Sequence, residues 1–101
     1  MSEIEQAIVR ELHQVYDPEI PVDIYELGMI YAIDIDDRGH VTVTMTLTSP
    51  ACPVADSLPR EVERRVNAVD GVASVRVDLV WSPPWGPHLM SEAASLALDM
   101  F

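Results

Sequence analysis

The chain reads as a two-layer α+β domain in the order α-β-β-α-β-α, with a small mixed three-stranded sheet packed against helices. Three observations predict this. Apolar residues at helical spacing recur in two stretches, Ile4 to Val15 and Val54 to Val69. Between them lie two alternating segments joined by a turn, and the second of these, Val41 to Thr48, interleaves aliphatic residues with threonine without a break. A third alternating run, Ala73 to Trp81, follows the second helix, so strand, helix and strand form a crossover unit, right-handed if its strands are parallel. With 101 residues and 49% hydrophobic content, residues 1–101 make one domain with one core.

Ser2 can cap the first helix, with Glu5 completing a capping box and Ile4, Ile8, Leu12 and Val15 on one face until Asp17-Pro18 ends it. The segment 17–23 has two prolines, three carboxylates and no period, and is a loop that Gly28 closes with a short turn. From Met29 to Asp36 the odd positions Met29, Tyr31, Ile33 and Ile35 form an apolar face, and Asp37-Arg38-Gly39 supplies the hairpin turn. The second strand buries Val41, Val43, Met45 and Leu47 and turns Thr42, Thr44, Thr46 and Thr48 away. Val54, Leu58, Val62, Val66 and Val69 mark the second helix, which Asp70-Gly71 stops; Pro59 distorts it early or marks where its regular part begins. In the third strand Val75, Val77, Leu79 and Trp81 alternate with Ser74, Arg76 and Asp78. A stiff loop, 81–87, then leads to a last helix carrying Leu89, Met90, Ala93, Leu96 and Ala97.

Composition narrows the function. Six Arg and no Lys oppose 17 Asp and Glu, a formal charge of -11, which repels phosphate backbones and anionic lipid surfaces and so argues against nucleic acid and membrane as partners. The acidic start Met-Ser-Glu-Ile-Glu is unlike a signal peptide, and one cysteine forbids an intramolecular disulfide, so a reducing cytoplasmic setting is expected.

That cysteine, Cys52, stands between Pro50 and Pro53 at the junction of the second strand and second helix. Each proline fixes its own φ near about -65° and restricts the residue before it, so the sulfur is aimed by backbone stiffness on both sides. If Pro53 opens the helix, Cys52 is its N-cap, and the free N–H groups of Val54 and Ala55 favour a thiolate, while Asp56 and the acidic loop oppose it. The competing reading is a small buried apolar residue, which most free cysteines are. Asp17, Glu19, Asp23 and Glu26 could make a hard-metal or general-base cluster, but they form no metal signature, and a solvated acidic loop with capping aspartates is the simpler explanation. His13 and His40 read as exposed, and no Cys/His dyad can be drawn. Trp81 and Trp85 are core or loop anchors, or an aromatic docking surface.

The blocks Asp17-Pro18-Glu19-Ile20-Pro21-Val22-Asp23-Ile24, Leu27-Gly28-Met29-Ile30-Tyr31, Leu47-Thr48-Ser49-Pro50-Ala51-Cys52-Pro53, Leu79 to Trp85 and Met90-Ser91-Glu92-Ala93 follow in order along the chain. Together they resemble the SufT/PaaD-type metal-sulfur cluster assembly factor family. The resemblance implies a small cytosolic α/β factor that assists iron-sulfur cluster maturation, with Cys52 as its functional centre and Thr48, Ser49, Asp23 and Glu19 near the sulfur. PaaD-like relatives carry a cysteine-rich C-terminal extension; this chain has no second cysteine, so the SufT-like branch fits better. No P-loop signature marks an ATP-dependent scaffold.

An iron-sulfur cluster needs about four protein ligands, mostly thiolates, and each chain offers one. A homodimer would contribute two. The expectation is therefore a non-enzymatic factor that handles iron or a cluster transiently through Cys52 and passes it to client apo-proteins beside the iron-sulfur assembly machinery. Two other readings stay open: a metal-free adaptor that docks assembly proteins and clients through the 81–85 loop, and a thiol enzyme with Cys52 as nucleophile.

Overall fold

A computed structural model describes residues 2–16, 22–47 and 57–99. Its elements are α1 (Glu3–Leu12), β1 (Ile30–Ile35), β2 (His40–Met45), α2 (Ser57–Asn67), β3 (Ser74–Leu79) and α3 (Glu92–Asp99), with a short 3-10 turn, Pro87–Leu89, before the last helix. The expected order is the observed one. β2 is the central strand, antiparallel to β1 and parallel to β3, which makes the three-stranded sheet mixed. α1 packs on α2 and α2 on β3. Ile8, Leu12 and Val15, then Val41, Val43, Met45 and Leu47, then Leu58, Val62 and Val66 form the centre of one core.

The Ser2 hydroxyl accepts the N–H of Glu5 at 3.1 Å, so α1 starts as its sequence dictates. It ends sooner than expected, at Leu12, with His13 as C-cap. Past it the chain pairs with the next turn instead: the carbonyl of Val15 accepts the Ile24 N–H at 2.9 Å, and Tyr16 forms an antiparallel bridge with Asp23, which takes extended backbone.

The hairpin turn also forms as expected. The Gly39 N–H bonds to the Asp36 carbonyl at 3.3 Å, Gly39 sits at φ +84, and Asp36 Oδ1 accepts the N–H groups of Arg38 and His40 at 2.8 and 2.9 Å. β1 departs from simple alternation. Ile30 pairs with Met45 but Ala32 pairs with Thr44, so Tyr31 is an extra residue, a β-bulge. The bulge shifts the phase: Ile30, Ile33 and Ile35 share the face of Met45, Val43 and Val41, and Tyr31 leaves it. Its hydroxyl instead donates to the Pro83 carbonyl at 2.7 Å.

Pro59 is the third of the helix residues Ser57–Asn67, and Leu58, Val62 and Val66 are buried beside it. Val54 lies outside the described residues. Arg65 ties this helix to α1, with Nε 3.3 Å from Glu61 and a second nitrogen 3.9 Å from Glu11. β3 ends at Leu79, earlier than expected, and Trp81 is 45% exposed beyond it. The last helix carries a different face from the expected one. Ser91 caps it through its hydroxyl to Ala94 N at 3.1 Å, which leaves Leu89 and Met90 ahead of the helix, buries Ala94 and exposes Leu96 to 59%.

Gly28 has φ +80, and a Cβ there would collide with the backbone carbonyl of Leu89. Gly28→Ala is therefore expected to destabilise the protein by more than about 1–2 kcal/mol in urea unfolding, with the emission of Trp85 shifting because its anchor lies next to Gly28. The two amide donors have a second consequence. The His40 N–H, aided by the Arg38 N–H and the charge of His40 and opposed by desolvation, holds Asp36 below the ordinary 3.8. A depressed folded-state value stabilises at any pH above the unfolded one, and this contribution is lost as pH falls through the folded value. Asp36→Asn should thus lose less stability than the natural protein on acidification below pH about 4; parallel acid-unfolding curves would contradict this.

Candidate functional site

Parallel pairing sends the carboxyl ends of β2 and β3 to the same edge of the sheet, where sites of α/β sheets commonly sit. After Met45, the chain continues through Thr46 and Leu47, both buried, toward the segment carrying Thr48, Ser49 and Cys52. Cys52, Thr48, Ser49, Glu19 and Asp17 lie outside the described residues. Asp23 and Glu26 are described.

A ladder of backbone bonds fixes where Asp23 stands. Ile24 N–H reaches the Val15 carbonyl, Met29 N–H the Ile24 carbonyl at 3.1 Å, and Thr46 N–H the Met29 carbonyl at 2.9 Å. The turn 22–29 thus bridges the end of α1 to the carboxyl end of β2, and places Asp23 on the side from which the cysteine segment departs.

The structure gives Asp23 company that its sequence position does not show. It is 8% exposed, and its Oδ2 accepts the Glu26 N–H at 3.1 Å and faces His13 Nδ1 at 3.1 Å. Glu26 Oε1 lies 3.8 Å from the same nitrogen, and the His13 ring rests on Tyr25 with centroids 4.7 Å apart. A proton on Nδ1 makes both carboxylate contacts attractive. His13 therefore belongs to a His–Asp–Glu cluster instead of standing alone on a helix surface. Its partners are ten and thirteen residues away across a loop, so no local pattern marks them; the C-cap position, which favours a histidine, is the one available hint. Asp23 and Glu26 also border a shallow cleft of about 190 Å³ that α3 lines with Ala93, Ala94 and Ala97.

One further expectation changes. Thr46, expected on the open face of the sheet, is fully buried, with Oγ1 3.5 Å from the Leu47 carbonyl. The two tryptophans part company: Trp85 is the loop anchor expected, its Nε1 donating to the Leu27 carbonyl at 2.8 Å and pinning the proline loop to the turn, whereas Trp81 is 45% exposed. Ser91 N–H adds a bond to the Glu26 carbonyl at 2.8 Å. Among the described residues no group of three or more His, Cys, Asp and Glu side chains is arranged to hold a metal ion.

This architecture is that of a solved domain from Bacillus anthracis titled as a domain of unknown function, DUF59. The two superpose with a TM-score of 0.91 at 35% identity, over 97% of this chain and 93% of that one. The profile of the family described as iron-sulfur cluster assembly protein matches residues 5–79, and the chain belongs to that family. It is 52% identical over 94 residues to the Fe-S protein maturation auxiliary factor of Porphyromonas gingivalis, covering 93% of this chain and 90% of that one. To the Fe-S protein maturation auxiliary factor SufT of Staphylococcus aureus it is 40% identical over 86 residues, 85% of this chain and 98% of that one. The SufT-like resemblance of the sequence blocks is thereby supported.

Asp23→Ala strips a charged acceptor from the part-buried Glu26 N–H and from His13, and should cost about 1–3 kcal/mol in denaturant unfolding. His13→Ala, which removes a half-exposed partner, should cost under about 1 kcal/mol.

Proposed function

We propose that this protein is an accessory factor in iron-sulfur cluster assembly, which handles iron or a cluster transiently through Cys52 and passes it to client apo-proteins. The observation that carries the reading is similarity over nearly the full length of both chains to proteins named as Fe-S protein maturation auxiliary factors. The chemistry of the donor set agrees with it. One thiol per chain leaves a cluster short of the about four ligands it needs, so Cys52 would share its cargo with a second copy, a small thiol or a client cysteine. A ligand set completed by the recipient favours transfer over retention. Thr48, Ser49, Glu19 and Asp23 are the proposed surroundings of the sulfur, with the cluster as cargo and not as a resident cofactor. The role is non-enzymatic and set among the assembly machinery of the cytoplasm, where a free thiol stays reduced.

A second reading is favoured by the exposure of Trp81 beside the anchored Trp85: an adaptor that docks clients without touching metal. The two make different demands on Cys52. Under anaerobic reconstitution, Cys52→Ser is expected to lose most of the iron and sulfide that the natural protein takes up, and maturation of client iron-sulfur enzymes should fall with it. Equal loading of both proteins would remove Cys52 as a ligand, and client binding with maturation intact in the variant would establish the adaptor.

A further inference from the structure

β1 is an edge strand, and no described segment pairs with its outer side. The direction of its free groups follows from the hairpin. Asp36 N–H bonds to the His40 carbonyl at 3.0 Å, so the bonded pairs of this antiparallel ladder are Asp36 with His40, Asp34 with Thr42 and Ala32 with Thr44. Ile33 and Ile35 are the intervening, non-bonded pairs with Val43 and Val41, and they turn both N–H and C=O outward. Beside this edge, on the core face, α1 stands off from the strand and leaves a cleft of about 200 Å³ lined by Val9, Tyr25, Ile30 and Ile33, with Glu5 among its walls. On the opposite face of the same edge Asp34 is exposed.

We propose that the outer edge of β1 takes an extended segment of a partner protein as a fourth strand, a segment in which apolar and basic side chains alternate. Its backbone would bond to Ile33 and Ile35. An apolar side chain would enter the cleft against Val9 and Tyr25, and the next residue, pointing to the other face by the period of two, would set a Lys or Arg against Asp34. Charge decides the occupant. The chain carries -11, and two copies joined by pairing Ile33 with the Ile35 of the other would set Asp34 directly against Asp34, so self-pairing is opposed and a basic strand is drawn in. The surface does not depend on Cys52 and goes beyond the maturation reading.

A blocked peptide of alternating valine and arginine is the probe, added to the full-length protein. Hydrogen exchange at the Ile33 and Ile35 amides, fast in the free protein, is expected to slow on peptide addition, while amides of β3 stay unchanged. Asp34→Lys, a change at an exposed side chain, should weaken binding roughly tenfold, and a valine–glutamate peptide should bind the variant instead. The same peptide N-methylated on its edge-facing amides should not bind. Unchanged exchange at Ile33 and Ile35 with saturating peptide, equal binding of the N-methylated peptide, or dimerisation of the protein through this edge would each overturn the proposal.

Discussion

The turn from Val22 to Met29 is the constraint on which the rest of the molecule hangs. Its backbone reaches three other parts of the chain: Ile24 bonds to Val15 after α1, Met29 to Thr46 after β2, and Glu26 to Ser91 before α3. The Trp85 indole adds a fourth tie through Leu27, and Gly28 clears the space that Leu89 occupies. Hydrogen bonds are individually modest, about 1 kcal/mol net, but a buried backbone group left without one is costly. The ends of α1, the bulged start of β1 and the course of the C-terminal loop must therefore agree with one another. Ile24, Leu27 and Met29, all fully buried, anchor the same turn in the core.

Around that turn the sheet supplies direction. β2 is bonded on both sides, and its parallel partner β3 requires a crossover through α2. The cysteine segment is the start of that crossover. It leaves the central strand at the edge where the turn and its His13–Asp23–Glu26 cluster stand, and that cluster joins residues distant in sequence. The acidic surface adds a long-range attraction for cations that salt weakens. Two of the six arginines are paired with carboxylates: Arg65 with Glu61 and Glu11, and Arg76 with Asp78 at 2.7 Å.

Where pattern and structure agree, the pattern is local and repeated. The capped start of α1, the turn glycines Gly28 and Gly39, the burial of Val41, Val43 and Met45, and the Leu58–Val62–Val66 stripe of α2 each follow from residues within a turn or two of one another. Disagreement begins where a distant segment competes. Tyr31 continues an apolar alternation in sequence, yet bulges out, because Met29 must meet Thr46 while Ile33 meets Val43. Thr46 keeps its place in the threonine series but is buried, and Trp81 continues the β3 alternation past the point where the sheet stops. The candidate site divides in the same way. Cys52 stands out through its prolines and its solitude, whereas His13 joins Asp23 only across a loop.

The sequence by itself determined the element order, the single core, the acidic surface and the one thiol available for metal chemistry, because propensity, periodicity, charge and ligand count are properties of residues and their near neighbours. Only the tertiary structure decided that β2 is central, that α1 stops at Leu12, that His13 faces two carboxylates and that no described segment pairs with the outer edge of β1. Each of these depends on which backbone groups find partners far along the chain, and that is settled by how helices, turn and sheet pack together, not by any local preference.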